Sequence, residues 1–139
     1  MPNVLVPLFS LLLAISAGHS VVRPDVASVV SGGYWITQGQ AGTYRVVVVN
    51  SGFEHVSSRV FVEWVAEPKS AKDEPTVVAV VEPALPFGQG VASLHATLKP
   101  LASGRVQIML SGVISSYPEQ KVSAVVTATN PGQVTTSGG

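Results

Sequence analysis

Between Arg59 and Ala66 the chain reads RVFVEWVA, and Val60, Val62, Trp64 and Ala66 fall on every second position. A repeat of two is the spacing of a β-strand, whose successive side chains point to opposite faces. The alternation returns downstream. Leu94, Ala96 and Leu98 alternate with Ser93, His95 and Thr97. Val106, Ile108 and Leu110 alternate with Arg105, Gln107 and Met109. Val122, Ala124, Val126 and Ala128 alternate with Ser123, Val125 and Thr127. One apolar and one polar face per strand predicts antiparallel sheets buried on a single side. Strands are expected over Val26–Val30, Tyr34–Thr37, Thr43–Asn50, Arg59–Ala66, Thr76–Glu82, Val91–Leu98, Arg105–Ser111 and Val122–Thr129. The stretches between them, among them SGG, QGQAG, NSGFEHVSS and EPKSAKDEP, hold the Gly, Pro, Asn and Ser of turns. No segment carries a helical stripe of three turns. VVEPALPFGQ cannot be a helix interior, because proline removes a donor and clashes with the preceding turn.

One run breaks the alternation. RVVVV, Arg45–Val49, is apolar on both faces. Such a strand is either covered on both sides or meets a partner, through Val47 and Val49 or through Val46 and Val48.

About seven to eight short strands with frequent turns read as a single antiparallel β-sandwich. Trp64 is its expected aromatic plug, and Tyr117, ahead of the last strand, resembles a tyrosine corner. The pattern resembles the broad immunoglobulin-like or fibronectin-III-like class over roughly residues 24–130, a likeness of architecture carried by no diagnostic motif. Fold at this level implies no function.

The ends divide the chain further. Val4–Ala17 is almost wholly apolar and uncharged, shorter than the about 20 residues of a membrane span, and is followed by the small residues of SAGHS. These features predict a signal peptide over 1–20, cleaved near 17–20, although the initial MPN brings no lysine or arginine. The domain is expected over 21–130, and the Gly-, Ser- and Thr-rich end, 131–139, as a flexible tail. The expected location is secreted, periplasmic or on the cell surface, with no membrane insertion after cleavage.

Among 139 residues there is no cysteine, so disulfides, thiolate metal sites and cysteine nucleophiles are excluded. The formal net charge is zero and charged residues make up 12%. That is not the basic footprint of a nucleic-acid binder.

Chemistry has few candidates. Glu54 and His55 are adjacent, and neighbours in an extended chain point apart, so they form no dyad. Their polar surroundings, with Gly52 to turn the chain, read as a connection. His19, His55 and His95 show no HxH or HExxH spacing. There is no GxSxG elbow. No cofactor and no metal is expected, and no enzymatic activity. Tyr34 and Trp35 are adjacent on a strand, so one can face the core and the other solvent, with Trp35 expected to be partly exposed. An exposed aromatic there can anchor a protein or stack on a sugar. The reading is an exported, non-catalytic module that binds a protein partner or a second copy of itself. Its candidate surface is Tyr34, Trp35, Val47 and Val49. The alternative is a carbohydrate-binding module using Tyr34 or Trp35, and a remote one is a small hydrolase or metalloprotein centred on His55.

Overall fold

A computed structural model describes residues 23–87 and 90–138. The expected signal peptide lies outside them. Four strands form the first sheet: β1 (Val26–Thr37), β2 (Gln40–Ser51), β3 (Ser57–Ala66) and β4 (Thr76–Val81). Four more form the second: β5 (Val91–Pro100), β6 (Val106–Ile114), β7 (Tyr117–Ala128) and β8 (Val134–Gly138). Every pairing is antiparallel, and both sheets keep sequence order, β1-β2-β3-β4 and β5-β6-β7-β8. The chain thus lays down two meanders and passes from one sheet to the other once, between β4 and β5. An immunoglobulin domain interleaves its strands between the sheets, so the likeness extends to the two-layer arrangement and not to the strand order.

The alternating residues of both sheets meet in one core. From the first sheet come Tyr44, Val46, Val48, Val60, Val62, Trp64 and Ala66. From the second come Val91, Leu94, Ala96, Val106, Ile108, Leu110, Val126 and Ala128. The inward phase read from the alternation is therefore the observed one in β3, β5, β6 and β7. Trp64 is fully buried and meets Tyr44 edge-on, with ring centroids 5.9 Å apart. The Tyr44 hydroxyl lies 2.7 Å from the Gly104 carbonyl and 2.7 Å from that of Thr129, and Trp64 Nε1 donates to the same Thr129 oxygen at 2.9 Å. Two aromatics of the first sheet are thereby tied to backbone at the end of β7 and in the 3-10 turn Ala102–Gly104.

Four expectations are corrected. The two strands expected over Val26–Val30 and Tyr34–Thr37 are one strand. SGG reads as a turn, but the chain continues through a bulge: Gly32 opposes Tyr44 and Trp35 opposes Gly42, leaving one extra residue on β1. Gly33 takes φ +69°, a conformation that glycine adopts without steric cost. The bulge also settles the aromatic pair. Trp35 is turned inward, 1% exposed, with Nε1 donating to the Thr43 carbonyl at 2.9 Å, and Tyr34 is 46% exposed. The expectation of a partly exposed Trp35 is thus overturned. The expected flexible tail contains β8, paired along β7 from Ala128↔Val134 to Ala124↔Gly138. Tyr117 is exposed and makes no corner; the tyrosine that ties a corner is Tyr44.

Candidate interaction face

The outward face of the first sheet follows from the same registers that fill the core. Val46 and Val48 point inward and are fully buried, so Val47 points out. It lies directly between Val29 of β1 and Phe61 of β3. The row beside it reads Ser31, Arg45, Glu63 and Val80, because Arg45 pairs with Ser31 and Glu63, and Glu63 with Val80. An apolar band therefore crosses all four strands, Val29–Val47–Phe61 and diagonally on to Val80, with Val29 48% and Val80 52% exposed. Tyr34 and Ile36 on β1, and Val77 and Val78 on β4, add exposed apolar surface to the same sheet.

Charge on this face is balanced within it. Arg45 Nε is bonded to Glu63 Oε2. Arg59 holds Glu82 with two bonds, 2.9 Å from Nε and 2.6 Å from Nη2, and its guanidinium carbon lies 5.1 Å from the centre of the Phe61 ring. The bonds from Arg59 hold the Glu82 carboxyl below its ordinary pKa, opposed by desolvation and aided by the Arg59 charge. Side chains that neutralise one another leave no net field to attract a charged partner.

The second sheet is different. Its outward rows are Lys99–Gln107–Thr127–Thr135, Thr97–Met109–Val125–Ser137 and His95–Ser111–Ser123. Hydroxyls and amides dominate there, and Met109 and Val125 are the apolar interruption. The two faces of one sandwich thus present unlike surfaces.

Of the four residues expected at the interaction surface, Tyr34 is exposed and Val47 partly so. Val49 is 8% exposed and Trp35 is buried, so neither offers much to a partner. Val29, Phe61 and Val80, which share the outward face with Val47, were not among the four. A signal for Phe61 was available, since Val60, Val62 and Trp64 inward place it outward.

Within NSGFEHVSS, residues 52–56 connect β2 to β3, as expected of a turn at Gly52, whose φ is +97°. Glu54 and His55 are exposed on it, and Phe53 at its tip is 97% exposed. His95 is exposed on β5. Among the described residues, no three of His, Asp, Glu and Cys gather closely enough to hold a metal ion. Two solvent-open clefts occupy the rims. One, of about 530 Å3, is lined by the β1–β2 turn and by Glu67, Lys69, Asp73 and Glu74 of the β3–β4 loop. The other, about 710 Å3, is lined by Ser51, Ser57, Ser58, Arg59 and Glu82. Ser58 Oγ donates to Asn50 Oδ1 at 2.8 Å, Arg59 and Glu82 bind each other, and neither lining includes a histidine.

No family model matches the chain, and no curated protein or solved structure matches it either.

Proposed function

We propose that this chain is an exported, non-catalytic β-sandwich module that associates with another protein chain through the outward face of its first sheet. The observation that carries the reading is the apolar band Val29–Val47–Phe61–Val80, set among self-neutralised ion pairs on one face and opposed by a polar face on the other. Contiguous exposed apolar surface costs solubility and is retained where it is covered in use. Phe61 lies under Arg59, and aromatic residues and arginine are both enriched at interfaces. Export rests on the apolar run Val4–Ala17 followed by SAGHS.

Phe61→Lys on the outward face is the direct test, because it changes the band without touching the core. Extract of the native host passed over the immobilised parent and over the variant should lose a retained protein only with the variant. Equal retention by both, or none by either, rules the face out. Mass spectrometry of the protein from its native host should find an N-terminus between Ala17 and Val22; an intact Met1 rules out cleavage.

A further inference from the structure

β4 is the last strand of the first sheet, and its outer edge pairs with no strand among the described residues. It reads TVVAVV, without a charge, and Val77, Val78 and Val80 are exposed. A free edge presents unpaired N–H and C=O groups that template another strand, and proteins commonly blunt it with lysine. Here no lysine lies in the strand.

The sequence around this edge is close to symmetric. About Ala79, Val78 mirrors Val80 and Val77 mirrors Val81, while Thr76 mirrors Glu82 and Pro75 mirrors Pro83. An isologous interface needs a surface complementary to itself under a twofold axis. We propose that two copies of this chain pair antiparallel along β4, with the axis at Ala79, so that two four-stranded sheets become one continuous sheet. This rests on the reading of the chain as an association module, and adds a second copy as a partner at the edge of the same sheet.

The register places Val80 opposite Val78 of the second copy on both sides of the axis; beyond them Val77 points outward and Val81 inward, so the ladder is confined to the residues about Ala79. No like charges face each other. Pro75 and Pro83 lack the N–H needed to extend the ladder, so it closes at both ends. The irregularity between Trp64 and Val65, which leaves Val78 as an extra residue on β4, shortens the regular stretch further. A short, stopped edge favours a closed pair over an open fibre. Pairing also sets Val80 beside Val78 of the second copy, which extends the outward apolar band across the axis. Few strand residues are covered, well short of the about 1,600 Å2 of a standard interface, so the dimer dissociates on dilution.

Absence of cysteine makes a clean trap possible. Residues facing each other on antiparallel strands have Cα atoms about 4.5–5.5 Å apart, within the about 4.4–6.8 Å that a disulfide spans. Ala79 is the one position that meets itself. Ala79→Cys should oxidise to a covalent dimer about tenfold faster than Ser123→Cys, which sits on the outward face of the second sheet; tenfold corresponds to about 1.4 kcal/mol of preference. Adding Val80→Lys to Ala79→Cys should remove the advantage. In sedimentation equilibrium the parent should pass from monomer to dimer as concentration rises, and Val80→Lys should stay monomeric. Equal oxidation rates, or a parent that stays monomeric throughout, overturn the β4 dimer. If a protein is still retained from extract through the Phe61 face in that case, the association module stands with a different partner. If nothing is retained, both readings fall.

Discussion

Tyr44 and Trp64 converge on one acceptor: the carbonyl of Thr129 lies 2.7 Å from the Tyr44 hydroxyl and 2.9 Å from Trp64 Nε1. The two polar atoms that large aromatics bring into a core are thus satisfied at one point, where the end of β7 meets the first sheet. The Tyr44 hydroxyl also lies 2.7 Å from Gly104 O, and its single proton serves one carbonyl at a time. Tyr44→Phe keeps the ring and deletes the donor. Trp64 still serves Thr129, but the carbonyl of Gly104 loses its side-chain donor. The expected loss is about 1–3 kcal/mol in urea melts, the range for an unmet buried polar group. No measurable loss would mean that water replaces the hydroxyl.

The same tyrosine predicts an alkaline limit. Burial raises its pKa above the ordinary value, and the neighbouring Trp64 opposes this in smaller part. A phenol that ionises less readily when folded stabilises the fold fully below its unfolded pKa, about 10. That contribution is lost as pH rises through the folded pKa, because the unfolded chain releases the proton first. The urea midpoint of the parent should therefore fall more steeply than that of Tyr44→Phe once pH exceeds about 10. Parallel curves would show that Tyr44 is not shifted.

Trp35 should behave as a core residue. Its indole is as deeply buried as that of Trp64, and its N–H is bonded to the Thr43 carbonyl. Trp35→Ala and Trp64→Ala should each cost about 3–5 kcal/mol, the range for large aromatic truncations. A loss for Trp35→Ala much below that for Trp64→Ala would restore the partly exposed position read from the sequence.

What the sequence made legible, and what it hid, both follow from alternation. In β3, β6 and β7, and in β5 from Leu94 onward, an apolar residue on every second position identified the buried face; ahead of Leu94 a bulge in β5 turns Val91 inward at an odd position. In β1 the count is interrupted. Val30 and Gly32 face inward at even positions, but the bulge inserts a residue, and Trp35 faces inward at an odd one. No rule of period two carries across that step, so Trp35 was read as partly exposed and SGG looked like a break. β8 was hidden for another reason. VTTSG is an edge strand with little to bury, and its polar composition is that of a tail. The outward apolar band proposed as an interaction face was half legible: RVVVV announced surplus apolar surface, but Val29 and Val80 join it only through cross-strand register.

Gly42 is required by space. A Cβ there would lie 1.8 Å from the Val65 carbonyl oxygen, where β2 and β3 are paired. Backbone cannot step aside without breaking that ladder. Gly42→Ala should cost at least the about 1–3 kcal/mol typical of overpacking, read as a lower urea midpoint. A cost below that would show that the strands separate easily at this end.

Adjacent lysines separate the two sides of β2. Val48 is fully buried within the core, and Val47 lies on the outward band between Val29 and Phe61. A charge at 48 has no partner inside a core of apolar side chains, and leaving it unpaired exceeds what a domain of this size can absorb. A charge at 47 reaches water, since the lysine stem lies along apolar neighbours and its head extends outward. Val48→Lys should therefore unfold the chain in circular dichroism and in the loss of a cooperative melt. Val47→Lys should keep the melt within about 1 kcal/mol of the parent, the cost usual for a surface change. It should also weaken retention of the partner, because a charge then sits in the middle of the apolar band. If Val47→Lys unfolds as well, the strand is covered on both sides. If it stays folded and retains the partner as the parent does, association runs through another surface.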